Sequence, residues 1–390
     1  MSDFDLEQVR SSALRALGPI RPANSNTAAH PQFLLNARKA KAGKDLPQYY
    51  LVYFLLVELL GFKDLGRFEK IDWSIPIDFK GRAYLVEHGK FGLSLLAHNP
   101  DEEAEETSDI ANRLRKGVKA ARPYFDLLAY QAVERSEINV KNNSMYLQRR
   151  YEFLRSEYES KCESINALKE ERRSARGQLQ LSIGSFVMSP VSSMSEEANW
   201  LAISAIEAFF SWTEHVLIHV AIFMCNISTA HQVADLAASD WSEKFKSVFD
   251  ISLRAEKNLF DQCMTIRQEL RNFIAHGAFG KRGEAFSFHS SAGAVPVMLP
   301  HKVGSKKFSL GEKLEFDTAA AFTVLDTFKI MLWSTARAPA RVYIEDGQLP
   351  TILTFAVDGT YAEGMISVES MEKLVEHLCN LSDQAANMDW

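Results

Sequence analysis

The residues of this chain best suited to chemistry on a phosphate lie in one stretch, Glu269-Leu270-Arg271-Asn272-Phe273-Ile274-Ala275-His276-Gly277. Leu259, Cys263, Ile266, Leu270 and Phe273 step by four and three. That spacing predicts a helix over residues 253–276 with this stripe buried and Gly277 as its C-cap. At about 3.6 residues per turn, Asn272 and His276 fall one turn apart on the polar side. Arg271 lies about 140° around the axis from His276. One copy of the helix therefore offers a cation and an imidazole that flank the polar face without converging. Arg271 stays charged at any pH and has the planar fork that suits phosphate. His276 sits at the negative end of the helix dipole, which favours imidazolium and poises it for proton transfer near neutrality. Basic neighbours surround them: Arg254, Lys257, Arg267, Lys281 and Arg282.

Other chemistry has weaker support. Glu214-His215-x-x-x-His219 has the histidine spacing of zinc proteases, but the HExxH order is absent and the flanks are apolar, so both read as buried structural histidines. His88-Gly89 reads as a turn. There is no Walker loop, GxGxxG or GxSxG, so nucleotide hydrolysis and serine-hydrolase chemistry find no motif. The motif region holds no carboxylate cluster for a magnesium ion, and no cofactor or metal is expected.

The order Arg271-Asn272-x-x-x-His276 late in a long helix, preceded by an apolar helix over about 197–225, resembles the HEPN family of helical-bundle ribonucleases. The resemblance covers residues 197–282. It implies a metal-independent endoribonuclease, active as a symmetric homodimer with both motifs facing one cleft. It also implies a role as an effector or toxin in bacterial antiviral defence. Arg271 and His276 match the catalytic pair, and Asn272 matches the polar companion. Many members also carry an acidic residue on the earlier helix. Glu207 and Glu214 both suit that place, and Glu214 is carried as the working candidate. The alternative is a catalytically inactive HEPN-like module that dimerises or binds RNA.

Further elements must position that helix. Residues 196–225 form a helix apolar on most sides, hence central to a core. Residues 241–249, 317–336 and 367–386 are helical, and 286–310 carries strand-like pieces. In the first hundred residues, helices are expected over 5–17 and 49–60. Alternation at Ile75/Ile77/Phe79, Tyr84/Val86 and Phe91/Leu93/Leu95, with turns at Lys80-Gly81 and Gly89-Lys90, predicts a three-stranded meander. The acidic run 101–109 followed by a basic run to Arg122 reads as one long helix oriented as its dipole favours. Residues 141–182 are charged and helical, with a broken stripe of Tyr146, Arg150, Phe153, Tyr158, Ile165 and Leu168. Residues 188–195 read as a Ser-rich linker.

The expected fold class is mainly α. Residues 1–140 form an N-terminal α+β region with a small antiparallel meander, a sensor or regulatory part that takes an unknown trigger ligand or protein. Residues 141–195 form a charged connector and linker. Residues 196–390 form a HEPN-like helical bundle with short β decorations.

Bulk properties agree with a folded protein of more than one domain: 390 residues, 46% hydrophobic and 24% charged. Charge is uneven, with 28 basic against 26 acidic residues over 1–196 and 16 against 24 over 197–390. Neither half is a basic nucleic-acid domain in bulk, so RNA must be held by a local cluster. The four cysteines form no CxxC, which suits a reducing compartment, and the N-terminus lacks the features of a signal peptide. The long apolar stretch 200–225 is interrupted by Glu207, Glu214, His215 and His219 and reads as a buried helix rather than a span. A cytoplasmic protein with no membrane partner is the expectation.

Overall fold

A computed structural model describes residues 4–176, 190–276, 284–291, 293–298, 309–310 and 317–388. These are mainly helical, with short antiparallel sheets. The chain divides into two compact units, Met1–Glu137 with Glu376–Trp390, and Ile138–Val375.

In the first unit, α1 (Leu6–Leu17) starts at Asp5, whose carboxylate accepts the Gln8 amide at 3.1 Å. It stops at Gly18, where φ is +62°. Then come β1 (Ile20–Pro22), α2 (Phe33–Asn36), β2 (Arg38–Lys39) and α3 (Tyr49–Tyr53), which continues as a π-helical segment, Phe54–Leu59. The meander is present as β3 (Ile71–Phe79), β4 (Arg82–Gly89) and β5 (Gly92–Ala97). It is the centre of a larger sheet of order β1-β3-β4-β5-β2, antiparallel throughout. Trp73, Ile75, Ile77 and Phe79 alternate inward on β3 and meet Leu17, Leu55, Ile110 and Leu114 in one core.

The expected long helix after Pro100 is α4 (Ala104–Ala120), and a further helix, α5 (Arg122–Glu134), follows it with Pro123 in its first turn. Proline fixes φ there without costing a hydrogen bond. Three expectations for this unit are corrected. Phe91, counted as a strand residue, sits at the β4–β5 turn and is 88% exposed. His88 lies within β4 rather than in a turn; it is buried and stacks on Tyr49 at 4.0 Å. β1 and β2 extend the sheet to five strands.

In the second unit, β6 (Asn139–Val140) precedes α6 (Ser144–Arg176) and α7 (Pro190–Phe223). Tyr151 meets Phe209 at 5.2 Å, and Lys161 bonds Glu197 at 2.7 Å, so α6 and α7 run antiparallel along each other. The expected connector therefore belongs to the body of the second unit, because α6 buries a narrow face through Tyr151 and Ile165. Tyr146 and Phe153, assigned to its apolar stripe, are largely exposed. Residues 190–195, expected as linker, are the first turns of α7, with Pro190 at the start, where it is tolerated. Residues 188–189 lie outside the described residues.

There follow α8 (Ala230–Ala238), α9 (Trp241–Lys246) and α10 (Arg254–His276). A small sheet of β7 (Glu284–Ser290), β8 (Gly293–Met298) and β9 (Ser309–Leu310) comes next, then α11 (Thr318–Leu332), α12 (Ala338–Arg341) and β10 (Thr351–Ile352), which pairs with β6. The last elements are α13 (Thr360–Gly364) and α14 (Val368–Asn387); the division between the units falls within α14. α7 is the central helix. Ala202, Ala205, Phe209, Trp212, Val216 and Val220 are buried, and Phe245 and Phe328 pack in the same aromatic cluster with Trp241. By length and composition residues 191–223 could cross a membrane, yet 56% of the apolar window is buried inside the protein, as a core helix requires.

Candidate functional site

α7 is buried on three sides and open along one stripe. From Trp200 onward, Glu207 and Ser211 are its exposed residues and Glu214 is half-buried, a spacing of seven, four and three. Glu207, Ser211 and Glu214 of that stripe floor a cleft of about 950 Å³. One wall carries Arg150 of α6; others carry Asp240 and Trp241 at the start of α9, and Met264, Thr265, Arg267, Gln268 and Leu270 of α10.

Charge inside the cleft is organised around Glu214. Arg267 Nη1 donates to its Oε1 at 3.1 Å, and Lys244 Nζ stands 3.6 Å from Oε2. Lys244 is almost fully buried and also donates to the Ser239 carbonyl at 2.8 Å. The Arg267 guanidinium lies over Phe210 (5.1 Å) and Trp241 (5.6 Å), and Trp241 Nε1 donates to Thr213 Oγ1 at 3.0 Å. Arg267 is thus clamped by a carboxylate in its plane and by aromatic faces beside it, the arrangement guanidinium favours over ammonium. Beneath it Cys263 is buried, and desolvation pushes its thiol up to about 12, so it stays a neutral packing residue.

The sequence-derived residues fall as follows. α10 is helical through His276, and Leu259, Cys263, Ile266 and Leu270 are buried as expected. The side chains of Arg271, Asn272, Phe273 and His276, and Gly277 itself, lie outside the described residues. Along the backbone, position 271 is one turn beyond Arg267, and 272 one turn beyond Gln268, both of which line the cleft. The two acidic candidates separate clearly. Glu214 has each oxygen turned to a different cation. Glu207 lines the same cleft with its carboxylate in no ion pair among the described residues. Sequence reasoning counted Arg267 only as a basic neighbour and missed Lys244 and Trp241. Arg267 four residues before Arg271 was the one legible signal.

His215 and His219 use the other flank of α7. His215 Nε2 accepts the Asn143 amide at 2.8 Å and is 3.0 Å from His219 Nε2; His219 Nδ1 is 2.7 Å from Thr351 Oγ1. The Asn143 amide fixes the tautomer of His215, whose Nε2 must be unprotonated to accept it. Burial lowers His215 to about 4 and His219 to about 3, so the pair is neutral at pH 7. No group of three metal-ligating side chains occurs among the described residues. The pair ties α7 to the start of α6 and to β10, as structural histidines do.

Comparison of the chain with protein-family models, with curated proteins and with solved structures finds no match.

Proposed function

We propose that the chain is a metal-independent endoribonuclease whose site is the α7–α10 cleft continued along α10 to Arg271, Asn272 and His276. One observation carries this reading. The cleft presents a fixed guanidinium, Arg267, on the helix face that reaches the Arg-Asn-x-x-x-His motif one turn later. In the proposed reaction the RNA 2′-hydroxyl attacks the adjacent phosphorus. His276 handles the proton of that hydroxyl, Arg271 holds the charge growing on phosphate, and His276 of a second copy protonates the departing 5′-oxygen. Arg267 supports the phosphate electrostatically from within the cleft. Glu214 fixes Arg267 rather than moving protons, because both of its oxygens are engaged. A defence effector or toxin is the biological role the resemblance suggests for such an activity.

The test is a labelled RNA and its 2′-deoxy analogue incubated with wild type, His276→Ala and Arg271→Ala. RNA should be cut to 2′,3′-cyclic phosphate ends and the deoxy analogue spared. Each substitution should slow cleavage by roughly 10²–10⁴-fold. Equal cutting of both substrates, or full activity in His276→Ala, overturns the assignment. The saturation of Glu214 by two cations favours a second reading, a non-catalytic RNA-binding or dimerisation module. That module would bind the RNA and leave it intact.

A further inference from the structure

The first unit holds a second cleft, of about 740 Å³, between α1 and the end of the Phe54–Leu59 segment. Its α1 wall is a single helical face: Glu7, Arg10, Ser11, Leu14, Arg15 and Gly18. Arg10 holds the two walls together. Its Nη1 donates to Glu7 Oε1 at 2.9 Å and its Nε to the Leu59 carbonyl at 2.9 Å. That arginine is spent on structure.

Arg15 and Arg21 are different. Arg15 donates to the hydroxyls of Ser11 (2.8 Å) and Ser12 (3.0 Å), both neutral. Arg21 uses Nη1 alone, on the carbonyls of Ile20 (2.8 Å) and Gly18. Neither guanidinium has a carboxylate partner among the described residues, and each keeps N–H groups unspent. A fourth arginine stands beside the cleft, outside its lining and paired with Asp109 at 2.9 Å. Arg113 of α4 lies so close over Gly18 that a β-carbon there would sit 2.0 Å from its Nη1. Gly18 is the only residue type that admits both this approach and a φ of +62°. Against this positive charge the cleft sets Glu7, already paired with Arg10, and Glu58.

We propose that this cleft binds a soluble phosphate-bearing small molecule of nucleotide size, with Arg15 and Arg21 as its phosphate forks. Two forks aimed at one cavity suit the planar, bidentate geometry of phosphate oxygens. The volume falls within the range of small-ligand sites, and Leu14, 42% exposed, supplies an apolar contact for the rest of the ligand. The Gly18 and Ile20 carbonyls account for one nitrogen of Arg21 and for nothing on Arg15. The site stands independently of the ribonuclease reading.

The test is calorimetric titration of the full chain with ADP, with inorganic pyrophosphate as competitor and adenosine as the phosphate-free control. ADP should bind, pyrophosphate should displace it, and adenosine should give no heat. Arg15→Gln and Arg21→Gln should each weaken ADP by roughly tenfold or more. Arg21→Lys should lose less than Arg21→Gln, and Arg122→Gln, on the exposed face of α5, should change nothing. Thermal melts of each variant separate loss of binding from loss of fold. No ADP binding, or ADP binding unchanged in both Gln variants of Arg15 and Arg21, overturns the proposal. So does uptake onto vesicles carrying phosphatidylinositol phosphate without ADP binding, which would make a lipid headgroup the ligand.

Discussion

Glu214 balances two cations of unequal burial, and that inequality sets what its removal does. Lys244 is 4% exposed, whereas Arg267 keeps about a third of its side chain in solvent. Glu214→Gln would leave the ammonium of Lys244 facing only the Ser239 carbonyl. A buried cation stripped of its carboxylate costs more than an exposed one, and the partial exposure of Glu214 moderates the loss. The expected loss is about 1–3 kcal/mol in urea unfolding. Glu207→Gln, at an exposed position without an ion pair among the described residues, should stay within about 0.5 kcal/mol of wild type. Equal destabilisation by both would mean that Glu214 does not anchor the cleft. Helical periodicity put both glutamates on one face of α7, and so both were legible as candidates. Which of them is spoken for depends on Lys244 of α9, thirty positions away in sequence and brought near only by the folding of α8 and α9.

The His215–His219 pair is a device of the elements it joins, α7, the entry to α6, and β10. Both histidines have folded pKa values below the unfolded value of about 6.5, because burial disfavours the charged ring. For a histidine depressed in this way the unfolded chain binds the proton more readily. The contribution to stability is therefore complete above about pH 6.5 and is lost as pH falls through about 4 and then about 3. Urea midpoints should drop steadily across that window at constant ionic strength. In a His215→Gln, His219→Gln double variant the drop should be smaller, since neither position then titrates. A pH profile unchanged by the double substitution counts against the buried pair. Packing at Gly117 of α4 is a second expectation at this scale. A β-carbon there would stand 2.9 Å from Leu17 Cδ2 and 3.0 Å from Leu55 Cδ2. Gly117→Val should destabilise by about 1–3 kcal/mol by overpacking, read from the thermal midpoint. The elements best read from sequence were those with one strong period, the β3–β5 meander and α10, and the long apolar run of α7. Those missed, α8, β1, β2 and the β6–β10 pair, are short or pair across long sequence distances, and α5 buries only Phe125 and so shows no apolar stripe. A two-residue strand such as β6 has no period to detect, and its partner β10 lies two hundred residues on.

At the scale of the whole molecule, the sequence places boundaries at 140–141 and at a compositional seam, the serine-rich stretch 188–195. The contacts divide the chain at Glu137–Ile138, close to the first of these, and again within α14, but not at the second. Composition marks where a chain is polar, and α6 is polar while still burying Tyr151 and Ile165 against α7. The proposed activity makes its own demand at this scale. Positions 271 and 276 are about 140° apart around α10, an angle no single copy of a regular helix closes. A proton acceptor and a proton donor are both required, and each chain carries the motif once. A two-fold axis beside α10 would supply both by bringing two motifs to one groove. The active species should therefore be a dimer by sedimentation at micromolar concentration, and specific activity should fall on dilution as the dimer dissociates. Mixing wild type with excess His276→Ala subunits probes the same point. The mixed dimer keeps one of the two histidines the reaction needs, so added variant should suppress the activity of the wild-type chains. Cleavage should persist in excess EDTA, because protons and guanidinium carry the reaction. A monomer that cuts at full rate removes the need for the second copy. Activity abolished by EDTA and restored by magnesium points to carboxylates elsewhere and away from His276.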